Sequence, residues 1–216
     1  MKVLVACEES QAVTIELRKL GHEAYSCDVQ PCSGGHPEWH LQQDVLPLLG
    51  GGWDMIIAFP PCTYLSNAGA KHLFKGKKLN RERYEKGLDA KKFFLAILHA
   101  PCRHIAAENP VSSKIYNMPR HSQEIQPWQF GHPVTKKTRL WLKNLPKLNP
   151  TCVVEPKANC HDAGTWFMKG GADRQKNRAK TFQGVAEAMA KQWSEAVANG
   201  FTDPQIDLFQ EEESAS

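Results

Sequence analysis

Apolar positions along this chain fall into short runs that alternate with amphipathic stretches. Residues 2–7 (KVLVAC), apolar after Lys2, read as a buried parallel strand. Residues 12–20 carry apolar positions at helical spacing, and Gly21 closes that stretch as a C′ glycine would. Residues 23–28 (EAYSCD) read as a second strand that ends in Asp28. Residues 55–59 (MIIAF) predict a third. Pro60 and Pro61 end it abruptly, because neither donates a backbone hydrogen bond. Residues 88–99 (LDAKKFFLAILH) predict an amphipathic helix stopped by Pro101, and residues 103–107 (RHIAA) a short strand that runs into Glu108-Asn109-Pro110. Residues 131–142 read as a further strand. Residues 178–198 read as a helix with Val185, Ala186, Met189, Ala190, Trp193 and Val197 on one side. Strands alternating with helices predict an α/β fold.

The stretches between are less regular. Residues 30–43 form a loop rich in Pro, Gly and His, and residues 44–46 start a turn or short helix towards Gly50-Gly51-Gly52. Residues 71–87 show no apolar face and read as a mobile loop. Residues 111–129 are irregular, and residues 143–171 are Pro-rich. The tail from 203 to 216 ends EEESAS and reads as frayed.

Composition narrows the class. Hydrophobic residues at 41% and charged residues at 23% describe a soluble globular chain of one domain with a sizeable core. No apolar run approaches the roughly 20 residues that span a bilayer. The start, MKVLVACEES, turns acidic too early for a signal peptide, so the expected compartment is cytoplasmic. Seven cysteines without framework spacing read as reduced thiols. Cys27, Cys32, His36 and His40 match no paired-ligand pattern, and the adjacent Cys160 and His161 lack partners at finger-like spacing, so no metal is expected. A net charge of +4 permits an anionic substrate without indicating nucleic acid by itself.

Three polar groups stand at predicted strand ends, where open α/β sheets bind ligands. Cys62 follows the Pro-Pro turn; it reads either as a nucleophile or as a small buried cysteine. Glu108 suits a general acid or base if burial raises its pKa, and its position suits the same cleft. Lys137 and Arg139 share one face of a strand by their period of two, either gripping a substrate or facing solvent. Asp28, about 20 residues after the first turn, suits ribose hydroxyls, or simply caps an ordinary βαβ unit. Lys71, Lys75, Lys77 and Lys78 belong to a basic stretch, which reads as a phosphate-binding loop or a solvated surface.

In their order along the chain these groups resemble the C5-cytosine DNA methyltransferases. FPPCTYLSNAG (59–69) resembles that family's Pro-Cys nucleophile motif, AAENP (106–110) its Glu-Asn-Val motif, and HPVTKKTRLWL (132–142) its Gln-x-Arg-x-Arg motif. RAKTFQGVAEAMA (178–190) resembles the final helix motif, and residues 5–28 lie where the cofactor loop belongs. The resemblance implies a Rossmann-like S-adenosylmethionine-dependent methyltransferase fold, a mostly parallel sheet flanked by helices. It implies an enzyme that methylates C5 of cytosine in DNA, duplex or single-stranded. Cys62 would be the nucleophile, Glu108 the group on the base, and Arg139 and Lys137 the cations that orient it. The cofactor, S-adenosyl-L-methionine, would meet Cys7, Glu8, Glu9, Ser10, Gln11, Asp28, Val29, Asp44, Phe59 and Pro60. The substrate would meet Pro61, Ser66, Asn109, Lys71, Lys75, Lys77 and Lys78.

The sequence also departs from the family. Glu9, Gln11 and Ala12 fall where the cofactor loop has its glycine-rich motif, and Thr63 follows the nucleophile where Gln is usual. The expected organisation is a catalytic and cofactor-binding domain over 1–142 and 178–201, a reduced target-recognition segment over 143–177, and a flexible tail over 202–216. So short a segment is too small for an independently packed recognition domain. Two other readings therefore stand beside DNA methylation: the same chemistry on free or single-stranded pyrimidine nucleotides, and a non-catalytic relative that binds DNA or cofactor.

Overall fold

In the computed structural model, which describes residues 1–70, 72–76, 78–159 and 180–203 (for Lys75 the backbone only), the apolar runs become the middle of one seven-stranded sheet. Its strands are β1 (Lys2–Ala6), β2 (Glu23–Asp28), β3 (His40–Gln42), β4 (Met55–Ala58), β7 (His104–Pro110), β8 (Gln123–Ile125) and β10 (Thr138–Lys143). The short pairs β5 (Phe74–Lys75) with β6 (Lys78–Leu79), and β9 (Val134–Thr135) with β11 (Ala158–Asn159), lie outside it. Four α-helices complete the described chain: α1 (Ala12–Lys19), α2 (Asn67–Ala70), α3 (Arg81–Leu98) and α4 (Gln183–Ala198).

The sheet order is β3-β2-β1-β4-β7-β10-β8. The first five strands are parallel, and β10 runs antiparallel to both its neighbours. This is the Rossmann-like α/β architecture. The order reverses between β1 and β4, so the crevice outside their carboxyl ends is the topological switch point. Alternate strand residues face opposite layers. Val3, Val5, Met55 and Ile57 pack with Val13, Leu17, Met189 and Trp193. Leu4, Ile56, Ile105 and Trp141 pack with Phe94 and Ile97. Burial on both faces explains why β1 and β4 are continuous apolar runs rather than alternating ones.

The start of the Pro-rich stretch belongs to this core. Leu145 and Leu148 are buried with the first layer, the Trp193 indole N–H donates to the Pro146 carbonyl at 3.0 Å, and Gln123 pairs with Leu148 through both its amide atoms. Residues 160–179 and the tail from 204, including Cys160 and His161, lie outside the described residues. No helix among the described residues is long and apolar enough to cross a membrane.

Candidate active site

The turn after β1 is built by side chains, not glycines. Cys7 and Gln11 both take left-handed backbone conformations, at φ 59° and 58°. Glu8 is buried, and its carboxylate accepts from the Val13 N–H (2.6 Å), the Thr14 N–H (3.2 Å) and the Thr14 hydroxyl (2.7 Å). It thereby caps α1, whose N-cap residue Gln11 makes no side-chain cap. Burial pushes the Glu8 carboxyl up to about 7, against the pull of those three bonds. Gln11 is also buried: its amide donates to the His36 carbonyl at 2.8 Å and the Ser26 hydroxyl at 3.2 Å, and accepts from the His36 N–H at 3.1 Å. Gly34 passes so close that a Cβ there would lie 2.6 Å from that of Gln11. Glu8 and Gln11, expected as cofactor ligands, are thus committed to the helix and to the 30–43 loop. Glu9 is the turn's other carboxylate, beside Ser10.

Two acids ring the mouth of the switch point. The Cys7 thiol is pushed far up, first by burial and then by the charges of Asp28, Cys27 and Asp44, which places both acids beside it. One oxygen of Asp28 accepts from the Gln30 N–H at 2.9 Å, and one of Asp44 from the Leu46 N–H at 3.0 Å. Beside them Val29 is 71% exposed and Leu46 40% exposed, an apolar rim next to carboxylate oxygens that accept no further hydrogen bond among the described residues.

Beyond β4, the Phe59 N–H still bonds the Ala6 carbonyl at 2.9 Å, and then the two prolines turn the chain out. Cys62 is half-buried, and its carbonyl accepts from the N–H groups of Leu65 and Ser66 at 3.1 and 2.9 Å. This turn is stitched to the chain after β7. Asn109 is wholly buried and donates to the Pro60 carbonyl at 3.4 Å, while its Oδ1 is buried without a partner among the described residues. The Ser113 N–H bonds the Leu65 carbonyl at 2.7 Å, the Asn67 N–H bonds the Val111 carbonyl at 2.9 Å, and Ser66 bridges to Ser112.

Glu108 precedes Asn109 and points to the other layer. Strand register pairs Glu108 with Leu140 and Asn109 with Arg139. Glu108 accordingly lines a cavity of about 30 Å³ with Phe59, Lys136, Phe182, Val185 and Met189, enough for a water molecule. Burial raises its carboxyl above the usual range, Lys136 pulls it back, and it makes no hydrogen bond among the described residues.

Lys137 and Arg139 do share a face, as their spacing predicts. Both reach Glu124 on β8, at 3.0 and 3.5 Å. The cation on the Glu108 side is therefore Lys136, which the motif comparison passed over. The even positions 136, 138 and 140 of that stretch were its signal. Of the expected phosphate contacts Lys78 is exposed on β6, while Lys71, Lys77 and the side chain of Lys75 lie outside the described residues. Among the described residues no group of three or more His, Cys, Asp or Glu is placed to hold a metal ion.

No family model and no curated protein matches the chain. Among the solved structures similar to it are three described as methyltransferases. One is described as a DNA modification methyltransferase encoded within a prophage of E. coli; it is 12% identical, covers 71% of this chain and 51% of its own, and has a TM-score of 0.44. The Entamoeba histolytica methyltransferase EhMeth is 11% identical over 70% of this chain and 57% of its own, TM-score 0.46. The S. pombe Dnmt2 methyltransferase is 13% identical over 65% and 48%, TM-score 0.42. These neighbours are methyltransferases. The chain spans about half their length.

Proposed function

We propose that this protein is a methyltransferase that modifies C5 of cytosine in DNA through a covalent cysteine adduct. The observation that carries the reading is the pairing of two adjacent strand ends. Cys62 leaves β4 on a rigid Pro-Pro turn, and that turn is tied by Asn109 to the end of β7, one residue from the half-buried Glu108. A cysteine and a carboxyl at neighbouring carboxyl ends of parallel strands are the two groups that C5 chemistry on a pyrimidine needs.

The S-adenosylmethionine expected from the motifs fits the switch point in this chain. Asp28, with one oxygen that accepts no hydrogen bond among the described residues at the end of β2, suits a ribose diol; the exposed Val29 beside it suits an adenine ring, and Asp44 an amino group. The group supplies an electrophilic methyl for C5. Around it the chain's residues do the rest. Cys62 adds as thiolate to C6, forming an S–C6 bond and moving the C5=C6 electron pair towards C5. Glu108 holds a proton between its carboxyl and the base N3, which neutralises charge developing on the ring. Arg139, next to Asn109 on the other face, meets the base carbonyl on turning from Glu124, with Lys137 beside it. Pro61 and Ser66 shape the turn against the substrate. After the methyl is on C5, loss of the C5 proton to a base and expulsion of Cys62 restore the ring.

The test is mass spectrometry of the protein with S-adenosylmethionine and a single-stranded oligonucleotide carrying 5-fluorocytosine. Fluorine at C5 blocks the last elimination, so the expected result is a protein–DNA adduct that disappears in Cys62→Ala. An adduct formed only with a fluorinated mononucleotide would move the substrate class to free pyrimidine nucleotides. No adduct with either would overturn the reading.

A further inference from the structure

Next to the Cys62 turn, on the side away from Glu108, lies an open cleft that the proposed chemistry does not use. It measures about 500 Å³, within the range of ligand-binding clefts. Its walls come from the residues after Cys62, the β5–β6 hairpin and the first turn of α3. Tyr64, His72 and Phe74 supply rings; Arg83 and Lys86 supply cations. Phe74 is 48% exposed, a large ring that no packing demands at such a place. Arg83 lies over the Tyr64 ring, 5.0 Å from its centroid, and donates through Nη2 to the Thr63 carbonyl at 3.2 Å. Its Nε is buried without a hydrogen-bond partner among the described residues, a donor left unanswered by the fold. Gly69 keeps this contact possible, because a Cβ there would strike the Thr63 carbonyl and come within 3.0 Å of Arg83.

We propose that this cleft binds the nucleotide next to the target base in single-stranded DNA, its base against the rings and its phosphate on Arg83 and Lys86. The proposal rests on the reading of Cys62 as a nucleophile towards a pyrimidine. Rings and cations around one groove are the combination that holds unstacked nucleotides without choosing a sequence, since every base has a π-face and every link a phosphate. A negative group stands in the same wall: Glu82, paired with Lys86 at 2.7 Å. That pair is exposed and weak, so an entering phosphate takes Lys86 from it at little cost. The path from cleft to nucleophile is one residue long. Arg83 grips the carbonyl of Thr63, the residue that follows Cys62, so a strand seated on Arg83 also seats the Cys62 turn.

Fluorescence anisotropy with a labelled single-stranded oligonucleotide of mixed sequence tests the cleft independently of any reaction. Phe74→Ala and Lys86→Ala each change an exposed side chain, and thermal unfolding verifies that they fold. We expect each to weaken binding by about tenfold. Lys86→Ala should also flatten the dependence of binding on salt, by somewhat under one unit in the log–log slope. Lys19→Ala, a cation on α1, should change nothing. Wild-type protein that binds no oligonucleotide, or Phe74→Ala and Lys86→Ala that bind like wild type, would overturn the proposal. The 5-fluorocytosine experiment separates the two readings. Binding that depends on Phe74 without any adduct keeps the cleft and removes the reaction; an adduct with Phe74-independent binding does the reverse.

Discussion

Glu108 is the residue on which pH should act. Burial holds its carboxyl above the usual range and the Lys136 ammonium pulls it down. A raised carboxyl keeps its proton at pH values where an ordinary glutamate has lost it. In the proposed reaction the reactive form is the protonated one, so single-turnover methylation should fall as pH rises through the Glu108 pKa. Lys136→Met removes the opposing cation and should move that descending limb to higher pH; a limb that stays in place would take Lys136 out of the site. Glu108→Gln should abolish the limb and slow the reaction about 10²- to 10⁴-fold. Stability should move with pH in the same direction as activity. Ionising a carboxyl whose folded pKa is raised costs folding free energy, a cost that grows as pH climbs from the unfolded to the folded pKa. Glu108→Gln should therefore be no less stable than wild type at pH 8. A large loss of stability there would make the carboxylate a structural group.

At the scale of elements, α3 carries the clearest test. It begins at Arg81, seven residues before the helix that the apolar pattern predicts, with Asn80 capping the Arg83 N–H at 3.2 Å and Glu82 paired to Lys86. Its first turns border the open cleft, so they show no apolar stripe. Capping and the i,i+4 pair were the readable signals there. Inside the helix sits Gly87, which helix propensity disfavours by about 1 kcal/mol relative to Ala. Its reason is the Tyr116 ring, which a Cβ would strike. Gly87→Ala should thus destabilise the protein by about 1–3 kcal/mol in urea unfolding, as overpacking does, and not stabilise it. A gain in stability would mean that Tyr116 moves aside easily. The same logic explains what the pattern revealed elsewhere. β1, β2 and β4 are legible because burial on both faces or a terminal acid marks them. The three-residue strands β3 and β8 are too short for any period to register. At the candidate site the strand-end groups Cys62, Glu108 and Asp28 could be located from prolines and acids that punctuate apolar runs. The commitment of Glu8 to α1, the brace made by Gln11, and Lys136 beside Glu108 are contacts between distant segments that spacing does not encode.

For the molecule as a whole, the proposed reaction raises the question of how a base reaches Cys62. A base in a duplex must be unstacked and unpaired, which costs a few kcal/mol that protein contacts must repay. Residues 143–177 are few, and their first part is already used by the core through Leu145, Leu148 and Pro146. What the described chain offers near Cys62 is instead a groove with rings and cations, suited to bases that are already apart. The expected outcome is that 5-fluorocytosine in a single strand, or opposite a mismatch, forms the Cys62 adduct at least tenfold faster than in a matched duplex. Tenfold is about 1.4 kcal/mol, a conservative share of the flipping cost. The comparison should be made at one salt concentration, because phosphate contacts make affinity fall steeply with salt for both substrates. Equal rates would mean that this chain holds a vacated duplex open, and would direct attention to the 143–177 segment as the part that does so. A strong preference for the unpaired base would place substrate selection in the accessibility of the cytosine, with the fold supplying a nucleophile, a proton and a seat for the neighbouring nucleotide.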